Sequence, residues 1–131
     1  SATRRAARHR VQVVGDDYLT TNAERIAEAA ADAACNAVLI KVNQAGTLTE
    51  AKAALDAGKA AGFGTIVSAR SGESEDVAIA HLAVGWNAGQ LKVGSFARSE
   101  RMAKWNEVLR IEDALGGDGR FAGAAALPPR K

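Results

Sequence analysis

The sequence predicts an α/β fold made of four consecutive β/α units with parallel strands. Three observations carry that expectation: four short β-type runs, a helical pattern after each, and a near-constant interval between them. The runs are Val11–Val14 (VQVV), Ala37–Val42 (AVLIKV), Gly64–Ser68 (GTIVS) and Gln90–Val93 (QLKV). Measured from residues 11, 37, 64 and 89, the units start 26, 27 and 25 residues apart. Strand–helix alternation with short connections requires parallel strands joined by right-handed crossovers. An open doubly wound sheet and a segment of a β/α barrel both satisfy this pattern. No glycine-rich dinucleotide fingerprint follows the first run, which argues against the open sheet.

The helices follow in order. Thr21-Asn22-Ala23-Glu24 reads as a capping box, with Thr21 accepting from an early backbone N–H and Glu24 reaching back. That helix is expected to run to about Ala34. Thr47-Leu48-Thr49-Glu50 repeats the device, and Gly62 is a natural stop. Ser74 is expected to cap a third helix reaching about Val84, with Gly85 ending it. The fourth covers Ser99–Leu115, with Met102, Trp105, Val108 and Leu109 at helical spacing before Gly116-Gly117. The organisation is then a basic arm over residues 1–10, a β/α body over 11–115, and a glycine-, alanine- and proline-rich tail over 116–131. That tail is expected to be loosely held.

At 131 residues there is room for one domain, about half of the ~250 residues of a full eight-fold barrel. Hydrophobic residues make up 47% and charged residues 24%, an ordinary globular balance. Much of the apolar share is alanine, as in AERIAEAAADAA, so the core is thin for its length. The net charge of +2 conceals an asymmetry: residues 1–10 hold four arginines and no acid, and Arg130-Lys131 close the chain. The remaining 11 basic residues face 15 acidic ones, leaving residues 11–129 at −4. Such a basic arm can bind nucleic acid or anionic lipid, but terminal arginines are more often solvated, and the body, without a basic stripe or interleaved aromatics, gives binding no support. The single cysteine, Cys35, excludes an internal disulfide and a cysteine-based zinc cluster. No apolar run approaches ~18 residues and the N-terminus lacks an apolar signal core, so a cytoplasmic location is the expectation.

In parallel β/α folds, ligands gather beyond the carboxyl ends of the strands. Here each run ends in polar residues that packing does not require. The first leads into Gly15-Asp16-Asp17, and the second into Lys41 with Asn43-Gln44 beyond. The third ends in Ser68-Ala69-Arg70-Ser71-Gly72-Glu73-Ser74, and the fourth carries Lys92 before Val93-Gly94-Ser95. Paired aspartates can be helix-entry caps, and a serine- and glycine-rich loop can be only a loop. Lys41 and Lys92 are harder to dismiss, because each interrupts an apolar run and lysine is rarely buried unless paired; a lysine at a surface edge is the competing reading. The chemistry available is definite. Asp16 is a suitable oxygen ligand for Mg²⁺. A lysine beside another cation favours its neutral amine and can act as a general base. Arg70 and Ser71 can donate to a phosphate. Such parts suit removal of a proton next to a carboxylate.

On these residues the sequence resembles the enolases (phosphopyruvate hydratases). The segments VVGDDYLTTNAERI, CNAVLIKVNQAGTLTEA, SARSGESED, GQLKVGSFARSERMAKWNEVLRIEDALG and FAG are similar to consecutive signatures of that family, from about Val11 to Gly123. The intervals from Asp16 to Lys41 (25 residues) and from Lys41 to Lys92 (51) match it without a gap. The resemblance implies four β/α units forming half of an enolase-type TIM barrel. It implies Asp16 as a ligand of Mg²⁺ and Lys41 as the base acting on carbon 2 of 2-phosphoglycerate. Lys92 would contact the substrate carboxylate and favour the neutral amine of Lys41. Arg70 and Ser71 would hold the phosphate, and Ser68 belongs to the same substrate loop. Two departures stand out: Ala69 where the family has histidine, and Val93-Gly94-Ser95 where it has threonine-glycine-alanine.

The resemblance also implies what lies elsewhere in an enolase: an N-terminal domain, the other half of the barrel, two further metal carboxylates and the acid that assists departure of hydroxide. The expectation is therefore a lyase fragment or subunit that acts on 2-phosphoglycerate or a related phosphate- or phosphonate-bearing acid. It would need a complementary N-terminal half for activity and bind Mg²⁺ weakly or not at all without it. The alternative is a non-catalytic, self-associating half-barrel scaffold. An open half-barrel has two sheet edges and an apolar face to cover, so a homodimer is expected when no complement is present.

Overall fold

The computed structural model describes residues 11–128; the basic arm and residues 129–131 lie outside the described residues. The strands are β1 (Val14–Gly15), β2 (Ala37–Ile40), β3 (Gly64–Ser68) and β4 (Gly89–Lys92). They form one parallel sheet in the order β1-β2-β3-β4. The helices are α1 (Ala23–Ala31), α2 (Val42–Ala45), α3 (Leu48–Ala60), α4 (Ala78–Gly85) and α5 (Ser99–Leu115), followed by 3-10 turns at Gly116–Asp118 and Gly123–Ala126. Sequential strand order with a helix after every strand is the β/α-barrel progression, here four units long. No helix among the described residues is long and apolar enough to cross a membrane.

Several boundaries differ from expectation for local reasons. Only Val14–Gly15 of the first run joins the ladder. Upstream, the Asn36 side chain takes over: its Oδ1 accepts from Val13 N at 2.6 Å and its Nδ2 donates to Val11 O at 3.1 Å. The cap of α1 is Asn22, whose Oδ1 accepts from Arg25 N at 3.0 Å, and not Thr21. Thr20 and Thr21 are both left-handed (φ 48° and 53°), and Thr21 is buried. Its hydroxyl is thereby taken from the helix and given to the core. The same helix stops at Ala31 because Ala33 is left-handed (φ 51°). The second box is closer to plan: Thr47 Oγ1 accepts from Glu50 N at 3.1 Å and donates to the Glu50 carboxylate at 2.7 Å.

Ser74 does not cap the third helix. Its hydroxyl accepts from Asp76 N at 3.3 Å within the loop, and α4 begins four residues later at Ala78. The one-turn helix α2, entered from Lys41, was not foreseen. The fourth helix keeps its expected span, but Leu109 is 62% exposed and Lys104 is its only buried residue.

The core lies between sheet and helices. Leu19, Ile26, Val38, Ile40, Leu55, Val67 and Ile79 make one cluster with several alanines. All residues of β2 and β3 are buried. Helix α3 approaches the sheet through Gly58, where an added Cβ would lie 2.9 Å from Val38 Cγ1 and 3.2 Å from Thr65 Cγ2. On the opposite face the amino end of the sheet is crossed by a reciprocal amide pair. Gln12 and Gln90 exchange hydrogen bonds at 3.0 Å, and Gln90 also donates to Ala126 O at 3.0 Å. Part of the stretch expected to hang loose therefore lies against the sheet.

Gly58→Val is expected to lower stability by about 1–3 kcal/mol through overpacking. Urea denaturation checks this, since α3 would have to back away from Val38. A second test concerns the α4–α5 contact. Glu107 accepts from Arg110 at 2.8 Å and lies 2.9 Å from His81 Nε2. The Arg110 hydrogen bond, opposed by burial and helped by His81, holds the Glu107 carboxyl below its ordinary range. Its stabilising contribution is present above that range and is lost as pH falls through the lowered value. In a melting-temperature series from neutral to acid pH, Glu107→Gln should remove part of that decline; an unchanged pH profile would contradict the assignment.

Candidate functional site

The register assembles the polar rim. In the ladders Gly15 pairs with Val38, Ile40 with Val67 and Ser68 with Lys92. Asp16, Lys41, Arg70 and Ser71 each follow the carboxyl end of their strand, while Ser68 and Lys92 are the last residues of theirs. Six residues singled out by sequence thus share one end of one sheet.

Lys41 is the most constrained of them. Its side chain is 8% exposed, and its ammonium donates to Asp16 Oδ1 in a short ion pair, with Asp17 Oδ1 at 3.6 Å. Its backbone N–H donates to Thr21 Oγ1 at 3.0 Å, and that hydroxyl donates to Gln44 Oε1 at 2.9 Å. The left-handed turn that costs α1 its threonine cap therefore fixes the chain at Lys41. Thr21 and Gln44 were not singled out as site residues. The signal available was a threonine and a glutamine flanking two adjacent strand ends.

Lys92 behaves differently. It is exposed, and its side chain makes no hydrogen bond or ion pair among the described residues. It faces a groove of about 390 Å³ along the inner side of the sheet, lined by Val14, Asp16, Leu39, Ile66, Gln90 and Leu91. Strand β4 is an edge strand, so the lysine that interrupts an apolar run meets no second layer there. Asp16 and Lys92 look onto the same groove, whereas Lys41 sits behind Asp16.

A smaller pocket of about 160 Å³ adjoins it, with Ala69, Arg70, Ser71, Lys92, Arg101 and Lys104 among its walls. Arg70 and Ser71 are exposed and have no polar partner among the described residues. Ser68 is buried (1% exposed) and donates to the Ala69 carbonyl at 3.0 Å, so its hydroxyl supports the loop rather than facing the pocket. Ala69 packs against the core as a half-buried methyl group. Arg101 and Lys104 were not foreseen. Both sit on α5, where lysine and arginine read as a solvated face.

A cation of the Mg²⁺ type does not fit the described residues by themselves. Such an ion takes six oxygen ligands in near-octahedral geometry. Asp16 offers one carboxylate, already joined to Lys41, and no group of three or more His, Cys, Asp or Glu side chains suits a metal among the described residues.

A family model described as "Enolase, C-terminal TIM barrel domain" matches residues 2–129. The enolase of Solanum lycopersicum is 53% identical over 119 residues, which is 91% of this chain and 27% of that protein. The chain therefore spans about a quarter of the length of this curated relative.

Removing the partner of Lys41 should be felt. Asp16→Ala leaves a nearly buried ammonium with only the more distant Asp17. The expected cost is about 1.5–3 kcal/mol, the range for a hydrogen bond to a charged group. It stays below the cost of breaking a fully buried pair because Asp16 is 38% exposed. Lys41→Met, which removes the charge instead, should cost less; chemical denaturation of both variants checks the order.

Proposed function

The chain belongs to the enolase C-terminal TIM barrel family, and from that premise we propose that it is the carboxyl-terminal half-barrel of an enolase-type lyase. It acts on 2-phosphoglycerate, or a related phosphate- or phosphonate-bearing acid, once a complementary half is in place. The observation that carries this reading is the gathering of Asp16, Lys41, Arg70, Ser71 and Lys92 at one sheet end.

The roles follow from chemistry. Arg70 and Ser71 donate to the phosphate oxygens. Lys92, without a counter-charge among the described residues, takes the substrate carboxylate. That contact draws electron density away from the neighbouring carbon and makes its proton removable. Lys41 accepts that proton. An ammonium has no lone pair to offer, so the base role requires Lys41 to have given up a proton, and with it its ion pair to Asp16. Mg²⁺ would need carboxylates supplied by the complementary half.

A second reading has its own support. Ala69 puts a methyl group where an imidazole would reach substrate, and Asp16 and Lys41 satisfy each other. Both suit a half-barrel that self-associates without catalysis. In either case the partner covers the free edges of β1 and β4 and the groove whose more exposed apolar residues are Val14 and Leu91. Each Å² of apolar surface covered contributes roughly 25 cal/mol. A second copy or an enolase N-terminal half meets that need, in a cytoplasmic setting and without membrane or nucleic acid.

The isolated chain, supplied with Mg²⁺ and 2-phosphoglycerate, is expected to show no measurable dehydration. Clear turnover that disappears in Lys41→Ala would show that no complement is required. Light scattering on the same sample should give twice the 13.6 kDa chain mass. A cooperative, monodisperse monomer at micromolar concentration would contradict the need for a partner.

A further inference from the structure

The largest fully buried side chain among the described residues is a lysine. Lys104 is 1% exposed and is the only buried residue of α5. Its ammonium donates to Ser74 O at 2.8 Å and to Glu100 O at 3.0 Å. No carboxylate lies within ion-pair distance of it among the described residues. A buried cation without a counter-charge is costly, and a packing role alone would be met more cheaply by methionine or leucine. The Glu100 contact is the ordinary reach of a helical lysine to the preceding turn. The Ser74 contact is not: it crosses 30 residues of sequence to the loop that carries Arg70 and Ser71.

Lys104 also lines the pocket of about 160 Å³ shared by Arg70, Ser71, Lys92 and Arg101. Four cations meet two carboxylates there, Glu73 and Glu100. Glu73 accepts from Asn43 at 2.8 Å, and Glu100 lies 3.8 Å from Arg98. An ammonium has three donors, and two are used.

We propose that Lys104 is a positioning residue for anion binding: it ties the Arg70–Ser74 loop to α5 and supplies a buried positive charge behind the pocket that Arg70 and Ser71 open. The ligand class is a small dianion such as a phosphate or phosphonate group. This rests on the phosphate role proposed for Arg70 and Ser71.

The test uses the full chain, inorganic phosphate as the probe, and NMR. In Lys104→Met the phosphate affinity should fall by about tenfold or more, since a charge-assisted contribution is lost. Amide exchange at residues 71–74 should quicken while that of β2 stays unchanged, and Lys104→Arg should recover both. Phosphate binding equal to the parent, or loop and β2 exchange quickening together, overturns the proposal, because a merely structural lysine would give one of these. If the methionine variant does not fold, the lysine ammonium signals of the parent chain decide. A Lys104 signal that moves on phosphate addition supports the proposal, and one that stays overturns it. If the parent binds no phosphate, the role of Arg70 and Ser71 fails, while loop exchange still judges the tie from Lys104 to Ser74.

Discussion

The parallel ladder between β2 and β3 is held in register because Val38, Ile40 and Val67 fill the core beneath the helices. A shift by one residue would turn Val38, Ile40 and Val67 away from the helices and send the opposite set in. Everything at the rim inherits that register. With Ile40 opposite Val67, the chain leaves β2 at Lys41 and leaves β3 at Ser68-Ala69-Arg70. Gly58 belongs to the same constraint, since only a missing side chain lets α3 lie close enough to seal Val38 and Thr65.

Charge at the rim is distributed unevenly. Lys41 is satisfied by Asp16, and Lys104 is buried on two backbone carbonyls. Arg70 and Lys92 have no partners among the described residues, and Arg101 donates only to the neutral Ser95 hydroxyl at 2.9 Å. Like charges held close together raise the free energy of the empty site. A bound anion would relieve that repulsion. The other end of the sheet is closed by the neutral Gln12–Gln90 pair.

Strand positions and the shared rim were legible in the sequence because apolar runs and their interval follow directly from parallel β/α packing. Thr47 and Glu50 were legible as a cap because that device is local. Thr21 was not, because its left-handed backbone makes sense only once Lys41 N–H lies beside it, 20 residues on. The Asp16–Lys41 pair was hidden for a similar reason. Metal ligand and base were assigned separately, although adjacent parallel strands bring 16 and 41 together. Ser74 read as a cap because serine before a helical pattern usually is one; here the loop carrying Arg70 takes those residues. Lys104 left no mark in the pattern, since a lysine inside a charged helix looks solvated.

The central claim is that this chain is one half of an enolase-type site. It is tested most directly by mixing it with the part of the Solanum lycopersicum enolase that it does not cover. Dehydration of 2-phosphoglycerate with Mg²⁺ should be absent from each piece, appear on mixing, and vanish when the added chain carries Lys41→Ala. Stable association without any turnover, or turnover indifferent to Lys41, would contradict it.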